Sequence, residues 1–79
     1  MDLNTIINED TDLDDLQTFI EEHLDGEVPY HSVEIMPLRS YIVICVFDKE
    51  GETMVSTHVN YGGGTTIGKL ITYLINNAE

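Results

Sequence analysis

Basic residues are what this 79-residue chain has least of: Arg39, Lys49 and Lys69 stand against fifteen Asp and Glu, for a net charge of −12. A surface of that sign disfavours nucleic acid and anionic membrane as partners and favours basic proteins. Cysteine is nearly absent as well. Cys45 alone excludes an internal disulfide framework, and its place inside an apolar run reads as a small buried hydrophobe. The longest apolar run, Tyr41 to Phe47, is far short of the roughly 20 residues that cross a bilayer. No charged segment followed by an apolar stretch opens the chain, so a soluble, cytoplasmic protein is expected. The apolar content of 42% suits a globular fold rather than a disordered tail. A length of 79 residues allows one domain, residues 1–79, near the lower size limit for an unaided core.

The acidity is unevenly placed. Residues 1–34 hold eleven acids and no Lys or Arg, whereas residues 35–79 hold four acids against all three basic residues. A surplus that served only solubility would be scattered and interleaved with lysine. The stretch Glu9 to Glu27, EDTDLDDLQTFIEEHLDGE, contains nine of the acids. Within it Leu13, Leu16, Ile20 and Leu24 follow a helical period, with Phe19 widening the stripe. Thr11 or Asp12 can cap that helix, with Asp14 or Asp15 at the third position in a capping-box-like arrangement. Asp12, Asp14 and Asp15 also suit the positive end of the helix dipole. Gly26 is placed to end the helix, and Pro29 prevents its continuation.

Ahead of it, Leu3, Ile6 and Ile7 are spaced for one turn of amphipathic helix capped by Asp2, broken at Asn8 to Thr11. After it, Val33 to Leu38 alternates and Pro37 marks an edge strand. Tyr41 to Phe47 is apolar throughout and reads as a central strand. Asp48-Lys-Glu-Gly51 is a hairpin turn. Thr53 to Tyr61 alternates again, with Val55, Thr57 and Val59 toward the core. Gly62-Gly-Gly64 interrupts, and Thr65 or Thr66 caps a last helix that buries Ile67, Leu70, Ile71, Leu74 and Ile75. The fold class expected is α+β: a three-stranded antiparallel meander packed on one face by an N-terminal acidic helix and a C-terminal helix, αβββα. One apolar row of the middle strand then faces away from the helices. It is either a dimer contact or partner surface, or is covered by Met36, Met54 and loop residues.

Catalytic chemistry finds little support. Gly63-Gly-Thr-Thr-Ile-Gly68-Lys69 fits G-x(4)-G-K, but Leu70 stands where a phosphate loop needs Ser or Thr for Mg²⁺, and the preceding strands are antiparallel. A glycine turn feeding a capped helix accounts for it. His23, His31 and His58 lack ligand spacing, and His31-x-x-Glu34 alternates faces on a strand. His23 suits a helix C-terminus as an imidazolium. Cys45 has no basic neighbour in sequence to activate it. The expectation is no catalytic residue, no metal and no cofactor.

The acidic helix is the feature with a functional reading. Asp12, Asp14, Asp15, Glu21, Glu22 and Asp25 occupy about 21 Å at ~1.5 Å per residue, one charge per ~3.5 Å. A DNA strand presents one about every 3.4 Å. Like charges three and four residues apart destabilise an isolated helix, a cost that a cationic partner offsets. The plainer alternative is a solvated face.

The element order, with Gly62-Gly-Gly-Thr-Thr-Ile-Gly-Lys69 opening the last helix, resembles that of double-stranded-RNA-binding domains. Those need several lysines at that place, and this chain has Lys69 alone. In size, charge and element order the chain more closely resembles the small acidic anti-CRISPR proteins of phages and mobile elements. Asp2-Leu-Asn-Thr-Ile-Ile-Asn-Glu-Asp-Thr11 and Glu34-Ile-Met-Pro-Leu38 are more faintly similar to phage uracil-DNA glycosylase inhibitors. These resemblances imply a non-enzymatic DNA mimic in a bacterial host cytoplasm. Its partner would be a basic nucleic-acid-binding host protein, and it would bind no nucleic acid or membrane itself. Asp12, Asp14, Asp15, Glu21, Glu22 and Asp25 would stand in for phosphates, flanked by Glu9, Asp10, Glu27 and Glu34. A small dimeric adaptor binding through the sheet face is the alternative.

Overall fold

The computed structural model describes residues 1–78. Asp12 caps the first helix, α1 (Leu13–Leu24): its Oδ1 accepts the amides of Asp14 at 3.0 Å and Asp15 at 3.2 Å. The far end closes as the sequence requires. Gly26 takes φ +85°, open to glycine at no steric cost, and the amides of Glu27 and Val28 both donate to the Leu24 carbonyl. Leu16, Ile20 and Leu24 are buried.

Three strands follow, β1 (Ser32–Pro37), β2 (Tyr41–Phe47) and β3 (Thr53–Asn60), in the antiparallel order β1-β2-β3. Asp48 organises the second hairpin. Its Oδ1 accepts the amides of Glu50 and Glu52, and Gly51 takes φ +82°. The last helix, α2 (Ile67–Asn77), is capped by Thr66, whose hydroxyl accepts the Lys69 amide. Ile67, Leu70, Ile71 and Leu74 are buried and Ile75 half-buried. Helix, three antiparallel strands, helix is the expected α+β architecture.

Both helices lie on one face of the sheet. Ile42, Ile44 and Val46 of β2 are fully buried under them, with Val33 of β1 and Val55 and Val59 of β3. Tyr41, Val43, Cys45 and Phe47 project from the other face and are half-buried. The methionines do not cover that face. Met36 is 54% exposed, and Met54 joins the core next to an irregularity in register at Val46 and Phe47.

The N-terminal turn of helix expected over Leu3, Ile6 and Ile7 does not form. Leu3 and Asn4 instead form a single tight turn, the Thr5 amide donating to the Asp2 carbonyl at 3.2 Å, and the segment then pairs with the start of α2 through Ile6 and Thr66. The Ile7 amide donates to the Thr65 carbonyl, and the Leu3 and Thr5 carbonyls accept the amides of Gly68 and Ile67. Leu3 and Ile6 stay about half exposed while Ile7 is fully buried. One isolated helical turn costs nucleation for a single hydrogen bond. Three backbone bonds and a buried isoleucine, the latter stabilising by about 1.5–3 kcal/mol, outweigh it. Asp2 is still a local acceptor, taking the Asn4 amide at 2.8 Å.

Candidate functional site

The carboxylates of α1 fall on the side away from the sheet because Leu16, Ile20 and Leu24 fix which side faces inward. At about 100° per residue, Glu22 sits most nearly opposite those leucines and isoleucine, flanked by Asp15 and Asp25 at about 40° to either side of the outward direction, with Asp14 next at about 60°. All four are exposed. Glu21 lies at the border and is half-buried, and the Tyr30 hydroxyl donates to its backbone carbonyl at 3.3 Å. Burial, with the charges of Glu21 and then Asp25, raises the Tyr30 phenol above its ordinary value of 10.0. This orientation follows from the sequence: Leu13, though only half-buried, points within about 20° of the mean direction of Leu16, Ile20 and Leu24 and leaves the inward axis essentially unchanged.

The acidic ground extends beyond the helix. Glu9 and Asp10 are exposed in a turn fixed by side chains: Asn8 Oδ1 accepts the Asp10 amide at 2.8 Å, and Thr11 Oγ1 accepts the Asn8 amide at 2.9 Å. Glu27 is exposed just after Gly26. Along the axis the charges therefore form two groups. Glu9, Asp10, Asp12, Asp14 and Asp15 lie at the N-terminal end, and Glu21, Glu22, Asp25 and Glu27 at the other. The interval between Asp15 and Glu22 is about 10 Å at ~1.5 Å per residue, with exposed Thr18 within it. The even spacing expected from the sequence is thus an average over two clusters.

Glu34 does not join them. It stands opposite Cys45 in the β1–β2 pairing and projects from the open sheet face, whereas α1 packs on the other. Arg39 in the first hairpin, Lys49 in the second and Lys69 on α2 are exposed, and α1 carries no basic residue except His23.

The elements weighed for catalysis stay apart. His23 stacks on Phe19 at a ring distance of 4.4 Å, with Nδ1 2.9 Å from the Phe19 carbonyl oxygen. His58 meets Tyr41 edge-on at 5.6 Å on the open face, and His31 is exposed before β1. Cys45 Sγ lies 3.4 Å from Ser56 Oγ. Among the described residues no group of three His, Cys, Asp or Glu could hold a metal ion. The G-x(4)-G-K segment cannot cradle a phosphate as it stands. The amides of Ile67 and Gly68 that would face the anion already donate to Thr5 and Leu3.

The chain matches no protein-family model, no curated protein and no solved structure. Its functional reading therefore rests on its own residues. No helix among those described is long and apolar enough to cross a membrane.

Proposed function

We propose that this protein is a non-enzymatic inhibitor that mimics DNA, laying the outer face of α1 against the basic nucleic-acid-binding cleft of a host protein. A CRISPR nuclease or another DNA-acting enzyme of a bacterial cytoplasm is the class of target. The observation that carries the reading is the ordered ridge of exposed carboxylates on α1, held at its start by the Asp12 cap and at its end by Gly26. The two groups of charge lie about 10 Å apart, close to the ~12 Å width of the duplex major groove whose phosphate rows they would imitate. Such charges mainly speed encounter, while a few central contacts set the lifetime of the complex. Glu22, flanked by Asp15 and Asp25, would make those contacts. Glu34 lies outside this surface.

The test is a triple neutralisation, Asp15→Asn, Glu22→Gln and Asp25→Asn, compared with the unaltered chain as bait for basic proteins in a bacterial lysate. The mimic loses its partner on neutralisation, and raised salt releases it from the unaltered chain. Equal retention by both baits removes α1 from the mechanism.

A second reading draws on the open sheet face, where Tyr41, Val43 and Phe47 are half-buried beside exposed Met36 and Leu38. There the chain is a dimeric adaptor that binds through this face, its acidity serving solubility. Partner binding that ignores ionic strength and is abolished by Val43→Glu favours the adaptor over the mimic.

A further inference from the structure

No Asp or Glu occurs between Glu52 and Glu79. That stretch makes β3 and α2, which pack on each other, while α1 packs on β1 at the opposite edge of the same sheet face. One flank of the molecule is thus crowded with carboxylates, and the other carries only Lys69 and His58 as basic groups.

The two outer strands are guarded unequally. β1 has six residues, includes Glu34 and ends in Pro37, both of which discourage further pairing. β3 has eight, Thr-Met-Val-Ser-Thr-His-Val-Asn, with no proline, lysine or carboxylate. It is a terminal strand, and its outer backbone edge has no strand partner among the described residues. Beside that edge Thr57 and Val59 of β3, with Leu70 and Tyr73 of α2, line a hollow of about 200 Å³ with Lys69 at its rim. Tyr73 is 45% exposed there.

We propose that β3 pairs antiparallel with β3 of a second copy of this chain, forming one continuous six-stranded sheet. An uncharged open edge is a template for a strand, and two-fold antiparallel pairing lets the same residues serve both partners. Charge selects the occupant. Two chains at −12 repel on most approaches, but along β3 they meet through eight residues that include no carboxylate. The two β1 strands, with α1 packed on each, then lie about 24 Å apart at ~4.8 Å per strand. That exceeds the ~8–10 Å screening length at moderate salt, so the ridges scarcely oppose association. Side chains of the incoming strand fill the hollow beside Tyr73. Nothing in this pairing depends on what α1 binds.

Sedimentation of the full chain tests it, from roughly 0.1 M to roughly 1 M salt, over which screening shortens from about 10 Å to about 3 Å. The expected particle has twice the 8.9 kDa chain mass, and its dimerisation changes little over that range of salt. Lys69→Glu and Tyr73→Glu, each placing a carboxylate at the pairing edge, weaken dimerisation at least about tenfold. Val43→Glu, on the open sheet face, leaves it unchanged. Hydrogen exchange on the unaltered chain gives a readout without mutation, the β3 amides gaining protection as protein concentration rises. A monomer at every salt and concentration overturns the proposal. So does a dimer that Val43→Glu dissolves while the Lys69 and Tyr73 variants keep it, or one whose added protection falls on β1.

Discussion

The Leu3 carbonyl oxygen accepts the Gly68 amide at 2.8 Å and would stand only 2.9 Å from a Cβ placed on Gly68. The N-terminal arm and the start of α2 are thus joined at a contact that glycine alone permits. Gly68→Ala gains helix propensity of about 1 kcal/mol. It also drives a methyl group into backbone, a strain of about 1–3 kcal/mol that the arm relieves only by giving up its bonds to Ile67 and Gly68. The expected net result is a loss of about 1 kcal/mol in denaturant unfolding. Faster amide exchange at Ile67 and Gly68 accompanies it. Unchanged stability and exchange would mean that the arm is not fastened there.

Asp12 separates capping from charge. Asp12→Ala removes the acceptor for the Asp14 and Asp15 amides and is expected to cost about 1 kcal/mol. Asp12→Asn keeps an acceptor and relieves crowding among like charges, so it should match or exceed the unaltered protein. Urea midpoints of the two variants decide it, and equal losses would show that charge rather than the cap is at work.

Stability and binding should move in opposite directions at Asp25. Asp25→Lys sets a cation four residues after Glu21 and three after Glu22, at the negative end of the α1 dipole. Stabilisation of about 0.5–1 kcal/mol at low salt is expected from these contacts together. Affinity for the proposed cationic partner should fall in the same variant. A protein that is both less stable and unaltered in binding would contradict the account of this face.

Tyr30 sets an alkaline limit. Its phenol is held above the ordinary 10.0, first by burial and then by Glu21 and Asp25. The folded state therefore keeps the proton more tightly than the unfolded state. The resulting stability is fully present below pH 10 and lost as pH rises from there through the folded value. Thermal melts of Tyr30→Phe should show a shallower decline above pH 10 than the unaltered chain. Parallel declines would remove Tyr30 as a cause.

The regular elements were legible because local rules and burial agree in them. The α1 stripe, the Asp12 cap, the stop at Gly26, the apolar middle strand and the Thr66 cap all appear where period and turn chemistry place them. The arm at residues 3–7 was not, since its helical spacing was outweighed by backbone hydrogen bonds with the start of α2, a partner distant in sequence. The candidate ridge divides in the same way. Which carboxylates belong to α1 follows from the sequence. That Glu34 lies across the sheet, and that Glu21 is half-buried near Tyr30, depends on how strands and loop fold back on the helix. The free edge of β3 beside Tyr73 also arises only in three dimensions.

Competition with duplex DNA addresses the central claim most directly. The protein retained by this chain is titrated with duplex DNA while the chain's own occupancy is followed. If the α1 ridge takes the place of a phosphate backbone, DNA displaces the chain fully, and the chain's affinity falls steeply as salt rises. A partner that holds DNA and this chain at the same time, at undiminished affinity, would contradict it.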